Sequence, residues 1–358
     1  MILSKLKKSA FLSIVCSLVF AAFIALMSFQ SASTSRSQNH AFYYWKTRWE
    51  ASPVLLDELR DQKISRLYMR FFDVKWNDRH GSPYPDSPLI FGSTPPRGIT
   101  IVPVVYLTNN VFLNTSVDGA ADLATKVLNR VELMLTSQKL NFRELQIDCD
   151  WTEHSRGSYF RFIKQLHDSL NPSGIVVSTT VRLHQIKYYG RTGIPPADRA
   201  MVMFYNFGRI EAYSERSSIF NDTDAIKYSR YLAEYPLALD VSLPLFSWAI
   251  HSRDGQVLGL LEKSNLDGIK QSTNFSAEGD HYFLAKSSFF FHGQYYRKGD
   301  KLILEETTPQ TTERAAQLAS EGAGQSRRFG TIALFDLDER TLKNYGPNEW
   351  QRIFSWFK

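Results

Sequence analysis

The segment that decides the fold is Glu144–Thr152, which reads Glu-Leu-Gln-Ile-Asp-Cys-Asp-Trp-Thr. Apolar and polar side chains alternate along it. Because successive residues of a strand point to opposite faces, this alternation predicts a strand with one apolar and one polar face. The apolar side chains are Leu145, Ile147 and Cys149, and the polar ones are Gln146, Asp148, Asp150 and Thr152. We expect the apolar set to contact helices and the polar set to line an interior.

Strand-like runs occur eight times along the chain, and amphipathic helical segments separate most of them. The runs begin near Phe42, Leu67, Ile99, Glu144, Ile175, Ala200, Leu239 and Gly330. The helical segments are 54–63, 118–139, 159–170, 223–235, 311–320 and 348–357. Asp118 is placed to cap the second of these helices. Eight strands alternating with helices favour an α/β fold, a closed (β/α)8 TIM barrel, over an open doubly wound sheet. No Gly-rich phosphate loop follows the first run, which disfavours the open sheet further.

The spacing of these runs lengthens once, between the seventh run, which ends at Trp248, and the eighth. Two strand-like runs lie in the gap, 281–291 and 295–306, with Gly293 and Gln294 between them. This pattern predicts a β-hairpin inside an insertion at about 252–310 of a barrel domain that spans 41–358. An insertion after the seventh strand lies at the carboxyl-terminal face of a barrel, where the active sites of such barrels occur.

Residues 1–33 have the pattern of an export signal. Lys5, Lys7 and Lys8 precede an apolar run over 10–29, and a polar stretch follows. This order predicts either a cleaved signal peptide or, because ~20 apolar residues span a bilayer, a retained membrane anchor. The remainder is expected to be exported, periplasmic or extracellular, and anchored to the cytoplasmic membrane if the segment is retained.

Composition excludes several other classes of protein. The 358 residues are 43% hydrophobic, which indicates a globular chain. The net charge is +6 and is scattered, so there is no basic stripe of the kind that nucleic-acid binding requires. The two cysteines, Cys16 and Cys149, leave the exported part without a disulfide. No cofactor or metal site is predicted.

Polar residues on the inner faces of several strands mark the candidate site. The inward sets are Tyr68, Arg70 and Phe72 on the second strand, and Ser178, Thr180, Arg182 and His184 on the fifth. Met201, Met203 and Tyr205 share a face of the sixth strand, and Asp240, Ser242 and Trp248 share a face of the seventh. Two aspartates and an arginine inside an apolar barrel are costly unless paired. Two interpretations stay open: a buried ion network, or a polar site at the strand ends.

Two motifs resemble those of the chitinase-like glycoside hydrolases. Asp148, Asp150 and Thr152 stand where the fourth strand of those enzymes has Asp-x-Asp-x-Glu, and Met203–Asn206 is similar to their sixth-strand Met-x-Tyr-Asp/Asn. A closer resemblance is to an uncharacterised bacterial family of exported, glycosidase-like barrels, whose fourth strand reads Gln-Ile-Asp-x-Asp followed by a small or hydroxyl residue. The resemblance implies a TIM barrel that acts on a polysaccharide. The position of the chitinase acid is Thr152, which cannot donate a proton usefully near neutral pH.

The first hypothesis is therefore a barrel that hydrolyses or binds a polysaccharide of the envelope or the extracellular space. Asp150 would be the acid or base, Asp148 would tune its pKa, and Tyr205 would hydrogen-bond the developing charge. Glu153 could supply the acid instead if the chain turns at the strand end. Sugar contacts are assigned to Arg70, Tyr106, Trp151, Arg182, His184, Asn206 and Trp248.

The alternative hypothesis is a non-catalytic envelope protein that binds a glycan or a protein on a degenerate glycosidase barrel. A carboxylate other than Asp148 that faces open space would favour an enzyme. Closure of the site by Arg182 bridging both aspartates would favour binding or a structural role.

Overall fold

The computed structural model describes residues 38–357 except 215, 263–267 and 325–328. The expected signal or anchor segment, 1–33, lies outside these residues. Within them, no helix has the length and apolar character needed to cross a membrane.

Eight parallel strands close into a barrel, which confirms the predicted fold. Each strand pairs with the next along the chain, and the eighth pairs with the first. The barrel strands are β1 Asn39–Tyr44, β2 Arg66–Asn77, β3 Thr100–Leu107, β4 Glu144–Asp148, β5 Val176–Arg182, β6 Arg199–Met203, β7 Ala238–Pro244 and β8 Thr331–Phe335.

Helices surround this ring. Six of them lie in the six segments that the apolar periodicity predicts, and four short helices of four to six residues are additional. They are α1 Pro53–Asp61, α2 Asn109–Asn114, α3 Val117–Ser137, α4 Arg156–Leu170, α5 Leu183–Lys187, α6 Tyr189–Thr192, α7 Asp222–Ser229, α8 Pro309–Ala323, α9 Glu339–Leu342 and α10 Pro347–Ser355. The predicted cap of α3 is wrong. Ser116 caps this helix by accepting a hydrogen bond from the Gly119 amide, while Asp118 lies in the first turn, where its charge suits the helix dipole.

The segment between β7 and β8 carries a small antiparallel sheet, here called the insertion sheet. Its five strands are Ser247–Arg253, Gln256–Glu262, Phe275–Ala277, Tyr282–Ala285 and Lys301–Glu306. A separate hairpin pairs Phe289–Phe291 with Gln294–Tyr296. The prediction of one continuous strand over 239–248 is wrong, because β7 ends at Pro244, which has no amide hydrogen for a ladder, and a new strand begins at Ser247. Trp248 therefore belongs to the insertion sheet.

The side-chain parity of β4 is as predicted. Leu145, Ile147 and Cys149 pack in the large core between the strands and the helices. A second, smaller core fills the barrel interior and includes Tyr43, Tyr68, Met201, Met203 and Tyr205.

Parity fails on β2. The register against β3 shifts between Arg70 and Phe72, so Phe71 is an additional residue on that strand. Phe71 and Phe72 consequently both lie in the outer core, and Phe72 does not share a face with Arg70 as expected. Such a bulge reorients the residues that follow it, and here it brings Asp73 beside Arg70.

Candidate active site

Asp148 is the last residue of β4 and lies at the carboxyl-terminal end of the strands, here called the barrel mouth. Its side chain is buried, and the Thr180 hydroxyl donates a hydrogen bond to Oδ1 at 2.6 Å. Burial raises the pKa of this carboxyl to about 6, against the opposing effect of the Arg182 charge, and Asp150 raises it further. Asp148 can therefore carry a proton in mildly acidic solution.

Asp150 forms a two-point ion pair with Arg182. The Nε atom donates to Oδ1 at 2.5 Å and Nη2 donates to Oδ2 at 3.1 Å. The Asp150 side chain is 48% exposed, whereas that of Arg182 is 23% exposed. Burial disfavours the charge on Arg182, but the nearby carboxylates of Asp150 and Asp148 raise its pKa overall, so it remains a cation.

This arrangement bears on the choice between an enzyme and a binding protein. Arg182 hydrogen-bonds Asp150 and leaves Asp148 to Thr180, so it does not bridge the two aspartates by hydrogen bonds. A second carboxylate, that of Asp150, faces open space at the mouth.

Two tyrosines complete the polar face of the mouth. Tyr106 lies directly opposite Asp148 in the register of β3 and β4, and burial with the charges of Asp148 and Asp150 raises its pKa to about 12. Tyr205 is buried, and its hydroxyl donates to the Met203 sulfur at 2.9 Å. Burial raises the pKa of Tyr205 well above its ordinary value. Both phenols stay neutral and can donate hydrogen bonds.

Arg70 is paired with Asp73, a residue that regular strand alternation would place on the opposite face of β2. Nε of Arg70 donates to Oδ1 at 2.6 Å, and its guanidinium lies 5.8 Å from the ring centre of Trp45. Only the bulge in β2 places Asp73 here, and no feature of the sequence reports that bulge.

A continuous set of rings, here called the aromatic wall, runs from the barrel axis to the insertion sheet. Its members are Trp45, Tyr205, Phe246, Trp248 and Phe335. Phe335 stacks on Tyr205 at 5.4 Å between ring centres and contacts Trp45 at 5.3 Å. Phe246 lies 5.6 Å from Phe335 and 5.2 Å from Trp248. Alternation along β8 places Phe335 on the same face as Ala333, and this is the sequence signal for the inward position of Phe335.

Two of the predicted site residues lie away from the mouth. Trp151 is fully buried on the helix side, where its ring stacks on Tyr159 and its indole N–H donates to the Thr192 carbonyl. The predicted sugar contact of Trp151 is therefore not available. Glu153 is exposed and pairs with Arg191 on α6 at 3.3 Å, so it does not turn over Asp148 and Asp150.

Thr152 and two of the predicted site residues, His184 and Asn206, are exposed near the strand ends. Thr152 follows β4, and its backbone amide donates a hydrogen bond to the Ser155 hydroxyl at 2.9 Å. His184 lies on α5, two residues after Arg182, and partial desolvation of its ring, assisted by the Arg182 charge, lowers its pKa. Asn206 follows β6 with a left-handed backbone (φ 58°), and its backbone N–H donates a hydrogen bond to the Ile219 carbonyl.

A separate ion network lies inside the barrel near the amino-terminal ends of the strands. Glu144 is buried and accepts hydrogen bonds from Arg66 at 2.7 Å and from Ser178 at 2.7 Å. Arg199 lies within 3.8 Å of Glu144 and 3.5 Å of Asp240. Burial raises the pKa of Asp240 to about 6. This network closes the bottom of the barrel and is distinct from the mouth. Across 38–357, apart from the gaps stated above, no group of three or more His, Cys, Asp or Glu side chains is placed to hold a metal ion.

Solved structures with the same architecture are chitinase-like barrels. The Bacillus cereus spore cortex-lytic enzyme SleL is 15% identical, with a TM-score of 0.51, over 90% of this chain and 74% of that one. A chitinase from Chromobacterium violaceum is 14% identical, with a TM-score of 0.51, over 89% and 99% of the two chains. The C-terminal domain of a putative chitinase from Desulfitobacterium hafniense is 11% identical, with a TM-score of 0.54, over 88% and 99%. No protein-family model and no curated protein matches the sequence. At these identities the likeness concerns the backbone, and the chain has the fold of the chitinase-like glycoside hydrolase barrels.

Proposed function

We propose that the protein binds a polysaccharide across the barrel mouth and hydrolyses it by acid–base chemistry. The observation that carries this proposal is the position of Asp148 and the Asp150–Arg182 pair at the barrel mouth close to Tyr205, a member of the aromatic wall whose phenol is within electrostatic reach of Asp148 and Arg182. Sugar rings present apolar faces that stack on aromatic side chains, and their hydroxyls pair with charged groups at the edges. The mouth offers both kinds of contact side by side.

The two aspartates suit different parts of such a reaction. Asp148 is buried and its pKa is raised to about 6, so it can hold a proton that a solvated aspartate would have lost. Asp150 is half exposed, faces the space that a glycan would occupy, and is oriented by its two hydrogen bonds from Arg182. We assign the acid–base step to Asp150, because it is the carboxyl of the pair that a ligand can reach. In its protonated form it would give a proton to the glycosidic oxygen as the bond to the anomeric carbon breaks, and water would then add to that carbon and return a proton to Asp150. Asp148 would supply the proton-binding neighbour that tunes it.

A second candidate function, glycan binding without hydrolysis, is favoured by one observation. The position that the resemblance assigns to the proton donor is Thr152, and Glu153, the nearest alternative, pairs with Arg191 instead. In this case the aromatic wall, Arg182 and Tyr106 would hold a glycan that the protein does not cleave.

Export is part of the proposal, because the N-terminal pattern over 1–33 is that of a signal peptide or anchor. Intact-mass analysis of the exported protein distinguishes the two. A first residue after about residue 31 indicates cleavage, and an intact Met1 in the membrane fraction indicates an anchor. Full recovery of the protein in the cytoplasm would contradict both.

The test of the proposed function is a panel of purified insoluble glycans. Chitin, bacterial peptidoglycan and cellulose are incubated separately with the protein between pH 5 and pH 7.5. Depletion of protein from solution reports binding, and new reducing ends in the supernatant report hydrolysis. We expect binding to at least one glycan, accompanied by release of reducing ends. Binding without release would select the second candidate, and absence of binding to all three would contradict both.

A further inference from the structure

Glu305 is a buried carboxylate that the proposed chemistry does not use. It lies on the strand Lys301–Glu306, where Leu302 and Leu304 point into the core of the insertion sheet. By alternation Glu305 points to the opposite face, and only 6% of it is exposed. It stands directly across from Trp248 in the antiparallel register, so the two side chains share that face.

Three donors from two different segments satisfy this carboxylate. Oε1 accepts from the amide of Ser218 at 2.8 Å, and Oε2 accepts from the hydroxyl of Ser218 at 2.6 Å. Oε2 also accepts from the indole N–H of Trp248 at 2.8 Å. All three donors are neutral, and each hydrogen bond to a buried carboxylate is stronger than an ordinary one.

Ser218 belongs to the segment that follows β6 and folds back against it. The backbone N–H of Asn206 donates a hydrogen bond to the Ile219 carbonyl at 2.8 Å, which closes this segment as a loop. The loop meets the insertion sheet at a second point, where the Tyr282 hydroxyl donates to the Ser214 carbonyl at 2.7 Å. Glu305 therefore joins the loop after β6, the insertion sheet and the outer end of the aromatic wall.

The consequence for the mouth follows from the ring contacts of Trp248. Its indole packs edge-on against Phe246, which in turn contacts Tyr205 and Phe335 near the barrel axis. A tryptophan whose N–H is fixed has few orientations left, so its ring face is set before a ligand arrives. Preorganised contacts of this kind raise affinity because less side-chain freedom is lost on binding.

We propose that Glu305 is a positioning residue, which holds the Trp248 ring and the loop after β6 in place at one side of the glycan-binding mouth. This inference rests on the proposed function. It assigns Trp248 to glycan contact at the outer end of the wall, reached by a polymer that extends beyond the aspartates toward the insertion sheet.

The test begins with a measurement that needs no ligand. The indole N–H resonance of Trp248 is assigned in a ¹⁵N-tryptophan-labelled protein by its loss in Trp248→Phe. Glu305→Gln replaces one carboxylate oxygen with an NH2 group, which is a donor. This group must face either the Ser218 backbone amide or the Trp248 indole N–H, so one of these two donors loses its acceptor. We expect the Trp248 resonance to shift and to exchange faster with solvent in this variant. An unchanged resonance would overturn the inference.

Binding of chitin hexasaccharide and of soluble peptidoglycan strands supplies the second measurement. We expect about tenfold weaker binding in both Glu305→Gln and Trp248→Phe, and no further loss in the double variant, because both changes break one contact. A shifted resonance with unchanged affinity, or fully additive losses, would overturn the positioning role. Wild-type protein that binds neither of these probes nor cellulose would overturn the proposed function itself, and with it the role of Trp248, whatever the resonance does. Wild-type protein that binds only cellulose is tested with cellohexaose in the same variants, with the same expected losses.

The matched control is Asp300→Asn, which removes another buried carboxylate of the same insertion. Asp300 accepts hydrogen bonds from Arg253 and lies 2.9 Å from His251, without contact to Trp248. We expect this variant to lower the stability of the fold and to leave the Trp248 resonance in place. If Glu305→Gln does not fold, Ser218→Ala and Trp248→Phe still test the two halves of the contact separately.

Discussion

The guanidinium of Arg182 holds the carboxylate of Asp150 through two hydrogen bonds, from Nε to Oδ1 at 2.5 Å and from Nη2 to Oδ2 at 3.1 Å. Asp148, two residues earlier on the same face, is held by Thr180 instead. The two aspartates therefore differ in exposure and in partner, although the sequence presents them as equivalent. The mouth combines one buried carboxyl that can bind a proton with one half-exposed carboxyl that a ligand can reach.

The raised pKa of Asp148 predicts a pH-dependent stability. In the folded protein this pKa is about 6, and in the unfolded chain it is near 3.8. The folded state therefore binds more protons between these values, and the free energy of unfolding falls as pH rises through that window, by up to about 3 kcal/mol for this group. Asp148→Asn removes this term, so the variant should gain stability relative to wild type between pH 4 and pH 7.

Urea unfolding at pH 4, 5.5 and 7 measures this difference. Asp168→Asn is the control, because Asp168 is exposed on α4 and pairs with Lys164 at the surface. Its stability should follow that of wild type closely across the three pH values. Parallel curves for Asp148→Asn and wild type would mean that Asp148 ionises normally in the fold.

The network at the bottom of the barrel predicts a large loss of stability in Glu144→Gln. Removing this charge leaves Arg66 and Arg199 without their shared carboxylate in a buried setting. Loss of one partner from a buried pair costs about 3–5 kcal/mol. Chemical unfolding near pH 7 measures it, with Glu313→Gln as the surface comparison, since the pair of Glu313 with Arg352 is solvent-exposed and contributes little to stability. Equal losses in the two variants would show that the network is not tightly buried.

The aromatic wall predicts that Phe335→Ala weakens glycan binding while the barrel stays folded. The ring lies between Tyr205, Trp45 and Phe246 at the mouth, so its removal takes away the centre of the wall. Affinity should fall by at least about tenfold, the size expected for a central aromatic contact. Pull-down on the glycan that wild type binds gives the ratio.

Phe290→Ala is the comparison for that variant. Phe290 is 75% exposed on the hairpin of the insertion, where it contacts only Tyr295 among the described rings. We expect its removal to leave binding unchanged. If both variants bind like wild type, the wall has no part in recognition.

The sequence predicts the barrel and the polar face of β4 because strand alternation is a local property. Alternation alone, without any tertiary information, predicts the helix-side position of Leu145, Ile147 and Cys149. The same reasoning succeeds for the inward position of Tyr205. It also predicts that Arg182 lies near the aspartates, since parallel neighbours end at one edge of the sheet.

The failures occur where the chain departs from regular structure. The bulge at Phe71 changes parity on β2 and hides Asp73, and the break after Pro244 moves Trp248 from the barrel to the insertion sheet. Trp151 lies beyond the end of β4, so alternation alone could not separate its buried position from a sugar contact. Which partner Arg182 takes depends on side-chain distances that no sequence pattern encodes.

The central claim is that Asp150 performs acid–base chemistry on a bound glycan, and Asp150→Asn tests it most directly. The measurement is release of reducing ends from the glycan that wild type binds, alongside the affinity for that glycan. We predict that turnover falls by roughly 10²–10⁴-fold while binding is largely retained. The free energy of unfolding should change by about 1 kcal/mol, since the pair with Arg182 is partly exposed.

Glu153→Gln, which alters only the surface pair with Arg191, should keep wild-type turnover. Turnover that persists in Asp150→Asn, or that disappears in Glu153→Gln instead, would contradict the account.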